Sequence, residues 1–211
     1  MLGSDIVATR RYEQRLRADA AEETRRGILD AVYEELRTAP SRPVSLDRVA
    51  KAAGVSRSTI YLVFGSRAGL FTALTTELWW ERSGFEKVVE AVAHPDAREH
   101  LRAGIDAGVR VHAAHRAVFR ALFSMGQLDA DAIGDAIAAV EQNRAGGMTH
   151  LAERLAEQDA LRPDLSVEDA AHILWLLTGF DAFDQLFTGR GLAVDEVARL
   201  LVDVAERSVC R

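Results

Sequence analysis

Apolar residues recur at helical spacing along most of the chain, and the sharpest instance is short. Leu46, Val49, Ala50 and Ala53 fall at i, i+3, i+4 and i+7, which gathers them on one face of a short helix. Ser45 offers a hydroxyl to the unpaired N–H groups of the first turn, and Pro43 discourages any helix from running in from upstream. Gly54 ends the helix because it can take the left-handed conformation, and Ser56 then stands ready to cap a second helix over 57–63. A link this short makes the two helices meet at a steep angle with Val55 and Ile60 between them, which is the geometry of a helix-turn-helix.

The flanking pattern is helical as well. Ile28, Leu29, Val32 and Leu36 form an apolar stripe on a helix over 19–38 that can pack over the helix-turn-helix, with Tyr33 near its edge. A fourth helix runs from 67 towards 80 and carries Leu70, Phe71, Leu74, Leu78 and Trp79. Ser83-Gly84 marks a kink or end, and His94-Pro95-Asp96 a clear break. Further helices are predicted at about 96–113, 116–124, 130–158, 167–187 and 194–208, with starts at Asp129, Ser166 and Asp195-Glu196 and breaks at Pro163, Gly189 and Gly191. The expected class is all-α: a flexible basic arm over 1–18, a helix-turn-helix head over 19–66 and a helical body over 67–211.

The stretch 167–187 is apolar all round, so it must be buried on more than one side. Paired with the last helix, it is expected to pack on its own body with one face and on a second copy with the other, as a four-helix bundle. Trp175, Leu176, Phe183, Phe187, Val197, Leu201 and Val204 are the candidate dimer residues.

Composition sharpens this picture at two points. The 211 residues carry a net charge of −6, but residues 1–67 hold 12 Lys and Arg against 9 Asp and Glu, whereas 68–211 hold 14 against 23. Residues 1–67, the arm and head together with Arg67, are therefore +3 and the rest −9, so the cationic excess sits in the portion where nucleic acid would be met. The single cysteine, Cys210, allows no internal disulfide and no thiolate metal set, which fits a reducing cytoplasm. Neither a signal peptide nor an apolar run near the ~20 residues of a membrane helix is present in the sequence, so a soluble cytoplasmic protein with no membrane partner is expected.

The second helix of the motif turns Arg57, Ser58, Thr59 and Tyr61 outward. Arg can bridge guanine O6 and N7, hydroxyls reach phosphates or base edges, and a Thr methyl can touch a thymine methyl. Ser66 caps the next helix, and Arg67 in its first turn opposes the helix dipole, which suits an external phosphate better than it suits the helix. Ser45 and Ser56 are expected on phosphates too. Arg10 and Arg11, with Arg15 and Arg17, belong to a terminus that is frayed without DNA and able to lie along phosphates or enter a minor groove.

The run Ser45, Val49-Ala50, Ala53-Gly54-Val55-Ser56, Thr59-Ile60-Tyr61, Phe64, Ser66-Arg67, Leu70-Phe71 resembles the signature of the tetracycline-repressor (TetR) family of transcriptional regulators. The likeness reaches upstream to Thr24–Ala31, so it covers roughly residues 22–71. Three positions depart from it. Val63 stands where a His or Tyr often holds the DNA backbone, Pro40-Ser41-Arg42-Pro43 replaces a glycine after the first helix, and Arg67-Ala68 replaces the usual Lys and Glu. The resemblance implies a homodimer on a palindromic operator, a repressor released by a small, largely apolar effector, and an effector pocket in the body. Candidate pocket residues are Trp79, Phe85, His112, His115, Phe119, Phe123, Met125, Trp175, Phe180 and Asp181.

Other readings stand beside this one. The same aromatics serve equally as ordinary core, since cavity and core draw on the same residue types. His112 and His115 share a helical face as a metal pair would, but no third ligand stands at a suggestive spacing, so no metal and no cofactor is expected. Asp181 and Asp184 either anchor an amine or are surface acids. There is no phosphate loop, nucleophile motif or carboxylate-histidine metal pattern to support an enzyme. A helical interaction module whose helix-turn-helix does not bind DNA is the remaining alternative.

Overall fold

A computed structural model describes residues 3–78, 82, 86–128 and 130–211. They are all-α: the described residues contain no strand, only one isolated antiparallel bridge between Leu161 and Cys210. The elements are α1 (Gly3–Thr38), α2 (Leu46–Ala52), α3 (Arg57–Phe64), α4 (Arg67–Glu77), α5 (Glu86–Val92), α6 (Ala97–Ala114), α7 (Arg116–Leu128), α8 (Ala130–Glu157), α9 (Val167–Leu177), α10 (Phe180–Asp184) and α11 (Val194–Val209). Trp79, Phe85 and Asp129 lie outside the described residues.

The helix predicted over 19–38 begins upstream, at Gly3. From Asp5 to Arg26 the chain has neither Gly nor Pro and is rich in Ala, Glu and Arg, so propensity alone favours the helix there. Residues 14–23 are exposed; the stretch buries nothing, which is why it leaves no periodic apolar signal. The stripe from Ile28 to Leu36 is fully buried against Val49, Ile60, Leu70 and Phe71. Glu35 fastens α2 to α1: its Oε1 accepts the Ser45 N–H at 3.0 Å and the Arg48 Nε–H at 2.9 Å.

The body surrounds α8, which packs against α4, α7 and α9, while α6 packs against α5 and α11. Asp96, part of the predicted break, caps α6, its Oδ1 accepting from Arg98 N at 2.7 Å and Glu99 N at 3.1 Å. Ser166 caps α9 in the same way, accepting from Asp169 N at 3.0 Å. The chain end is tied in by Arg162 N–H to Val209 O at 2.9 Å and Arg211 N–H to Ala160 O at 3.0 Å.

Two expectations about layout change. An extra helix, α5, fills part of the interval after Ser83-Gly84. The continuous helix over 167–187 is instead broken: Gly179 is extended (φ −70, ψ 154) between α9 and α10, and a π-helical turn follows over Gln185–Gly189. The break lets one apolar run serve two directions. Phe180 and Phe183 turn into the core at 5% and 0% exposure, while Trp175 and Leu176 stay outside at 39% and 65%.

Candidate nucleic-acid interface

Three serines set up the head. Ser45, Ser56 and Ser66 each have extended backbone and each accept a backbone N–H in the first turn of α2, α3 and α4, from Arg48 (3.4 Å), Thr59 (3.1 Å) and Gly69 (2.9 Å). A hydroxyl that accepts from the backbone still has its own proton to donate to a phosphate. Gly54 and Gly65 make the turns, with φ of 67° and 74° that side-chain-bearing residues rarely adopt. The Val55 N–H reaches back to Ala50 O at 2.9 Å and closes the end of α2.

These constraints fix how α3 is presented. Ile60 points into the head core at 1% exposure, so Arg57, Ser58, Tyr61, Leu62 and Val63 face solvent. Arg57 lies over the Tyr61 ring at 5.9 Å and 3.7 Å from Asp47 Oδ1, a loose surface tie that leaves it able to turn towards a base. Thr59 is less available than expected. It is half-buried, and its hydroxyl lies 2.8 Å from Ser56 Oγ, which also meets Ser58 Oγ at 2.7 Å. Arg67 is half-buried with its guanidinium 5.7 Å from the Phe71 ring, so it packs along α4. Arg10 and Arg11 fall within the backbone span of α1. Leu62, at 85% exposure, is the outward residue that the sequence reading passed over.

In the body, several candidate pocket residues meet. His112 is buried edge-on to Phe119 at 5.2 Å and Phe180 at 5.6 Å, and Phe123 stacks on Phe180 at 5.6 Å. Beside His112 there is a cavity of ≈ 20 Å³, room for about one water, lined by Gly104, Gly108, Thr178, Gly179 and Phe183. Met125 is half-buried, Trp175 exposed under the Arg144 guanidinium at 4.8 Å, and Asp181 exposed. His115 points elsewhere, its Nδ1 2.8 Å from the Tyr33 hydroxyl and its Nε2 3.2 Å from Arg82 O, so the two histidines do not converge. Asp184 is held by Arg116 at 2.8 Å, by Arg120 and by Thr188 at 2.6 Å. Burial works against its charge, but Thr188, Arg120 and Arg116 outweigh it and keep the carboxyl below its ordinary range. Among the described residues no group of three or more His, Cys, Asp or Glu could hold a metal, and no helix is long and apolar enough to cross a membrane.

The candidate dimer residues divide. Trp175, Leu176 and Val204 are exposed, Phe187 is half-buried, and Phe183, Val197 and Leu201 are buried within the chain's own core.

Burial, with Arg144 adding to it, lowers His112 from 6.5 to about 3, and burial, with Arg154 adding to it, lowers His100 to about 4. A lowered pKa in the folded state means the unfolded chain binds more protons between the two values. Stability should therefore be fully present above pH 6.5 and fall as the pH drops towards 3. The His112 shift caps its share at roughly 5 kcal/mol. Urea midpoints at pH 7 and pH 5 should differ clearly in the wild type and less in His112→Gln; equal differences in the two proteins would refute the assignment.

Residues 28–74 match the family model described as bacterial regulatory proteins, tetR family. Two crystal structures of NalD, the secondary repressor of the MexAB-OprM multidrug efflux pump in Pseudomonas aeruginosa, have the same fold. One aligns at 25% identity over 92% of this chain and 98% of NalD with a TM-score of 0.69, the other at 23% over 91% and 98% with 0.70. A TetR-like transcriptional regulator from Rhodococcus sp. RHA1 aligns at 26% identity over 88% of this chain and 94% of its own, with a TM-score of 0.59. No curated protein matches the chain by sequence. The capped helix-turn-helix, the outward face of α3 and the helical body agree with these likenesses: residues 28–74 form a DNA-binding head of the kind found in tetR-family bacterial regulatory proteins, and the chain as a whole shares the fold of these transcriptional regulators.

Proposed function

We propose that the protein is a homodimeric repressor that binds a palindromic operator and is released by a small, largely apolar effector. The observation that carries this reading is the face of α3, where Arg57, Ser58 and Tyr61 stand outward between the capped starts of α3 and α4. In this reading residues 19–66 are the head, 1–18 its basic extension and 67–211 the effector and dimer body. Trp175, Leu176 and Val204, with Phe187 at the edge, face the second copy. Two heads joined this way meet two half-sites one turn of DNA apart.

The effector acts through the aromatic seam around His112. The seam holds ≈ 20 Å³ of free space, so a ligand larger than a water enters by parting α6 from the α9–α10 break. Release follows if the opened body prefers a head spacing that the operator does not fit; a ligand that bound both states equally would release nothing.

Selection of bound fragments from random DNA, with affinity followed against salt, tests the reading. An enriched palindrome with a steep salt dependence is expected. A folded dimer that enriches no sequence would remove the reading and favour an interaction module. On the selected operator, Arg57→Ala should cost ~1–3 kcal/mol and relax preference at one base pair per half-site. Unchanged affinity and preference would take Arg57 out of base reading.

A further inference from the structure

We propose that Leu62 reads the C5-methyl group of a thymine in each operator half-site, which makes it a specificity-determining residue; this rests on the operator-binding reading above. In the stretch from Arg25 to Leu78, the exposed large hydrophobic residues are Tyr61, Leu62 and Val63, consecutive on α3. Leu62 is 85% exposed, so it does no packing that would account for a leucine there. Ile60 has already filled the core position of this helix at 1% exposure.

The surroundings identify what covers it. Leu62 follows Ser58 by one helical turn, and side chains on a helix lean towards its N-terminus, so the leucine leans over the turn that carries Arg57 and Ser58. It thus belongs to the same outward face as the residues suited to base edges. A partner surface here must be polar and anionic around its edge yet present an apolar group at the centre. Among the base edges of the major groove, the thymine methyl is that group. Removing one contact of this kind should cost about 4-fold per half-site, the factor that corresponds to ~0.8 kcal/mol per buried carbon group.

The test uses the full-length protein and its selected operator, with each thymine in turn replaced by deoxyuridine, which lacks only the methyl. At one position per half-site the wild type should lose about 4-fold in affinity. Leu62→Ala, which removes the contact from both half-sites of the dimer, should lose about 16-fold on the thymine operator and be indifferent to uracil at that same position. Its melting temperature should match the wild type, because the side chain packs on nothing. A wild type indifferent to every exchange, or a Leu62→Ala protein as sensitive as the wild type, overturns the assignment while leaving operator binding intact. Failure to select any operator overturns the underlying reading, and this assignment with it.

Discussion

Arg82→Met is expected to lower the melting temperature by about 5–10 °C, which corresponds to ~2–3 kcal/mol in a chain of this size. The reason is Glu77, which is 6% exposed at the end of α4 and whose Oε1 accepts from Arg82 at 2.6 Å and 2.5 Å. Removing one partner of a buried pair leaves a carboxylate with neither water nor a cation, and such losses run to ~3–5 kcal/mol in dry sites. Arg82 is 23% exposed and its second acid, Asp30, is 53% exposed, so solvent screens part of the effect and the lower figure applies. The guanidinium also lies 4.9 Å from the Tyr33 ring, and the Arg82 carbonyl meets His115. One residue therefore joins α1 to α4 and to the junction of α6 and α7. The double variant Glu77→Gln/Arg82→Met should recover most of the loss, since it removes the stranded charge. A single variant within ~0.5 kcal/mol of wild type in urea denaturation would show that Glu77 finds water instead.

Gly69→Ala should destabilise the head by ~2 kcal/mol and weaken operator binding at least 10-fold. Two effects compete. Alanine is the better helix former by up to ~1 kcal/mol, and Gly69 sits inside the first turns of α4. Against this, a Cβ at position 69 would stand 2.1 Å from the Phe64 carbonyl oxygen. That oxygen is backbone at the end of α3 and accepts the Ser66 N–H at 2.8 Å, so no rotamer change can relieve the clash. The end of α3 must move, and α3 carries the face proposed above to read bases. Gly27→Ala is the control: nothing lies within 4 Å of its Cβ in α1, so the propensity gain should appear alone as a rise in stability. Equal behaviour of the two alanine variants would sink the close-approach argument.

The parts of this structure legible in the sequence are those whose causes lie within a few residues. Ser45, Ser56 and Ser66 cap because they precede apolar periodicity, and Gly54 turns the chain because a left-handed residue is needed there. The upstream reach of α1 was not legible, since a helix that packs on nothing has no apolar period. The partition of 167–187 was hidden for the opposite reason: apolar on every side, it gave no sign that Phe183 turns inward while Leu176 stays out. Gly179 was the available clue to the break. Arg82 could not be found at all, because its acids stand 5 and 52 positions away on different helices. Leu62 was overlooked because apolar residues were assigned to the core by type, whereas only the orientation of α3 separates it from Ile60.

The filled seam around His112 has a consequence for dose. If the proposed effector enters this seam, a body that must open to hold it binds more weakly than the contacts alone would dictate, by the fraction of molecules already open. The concentration at which the switch turns is then set by the ease of parting α6 from the α9–α10 break as much as by the fit of the ligand. Substitutions at Gly104, Gly108 or Gly179, which line the small void, would retune the threshold of response without touching the chemistry of recognition.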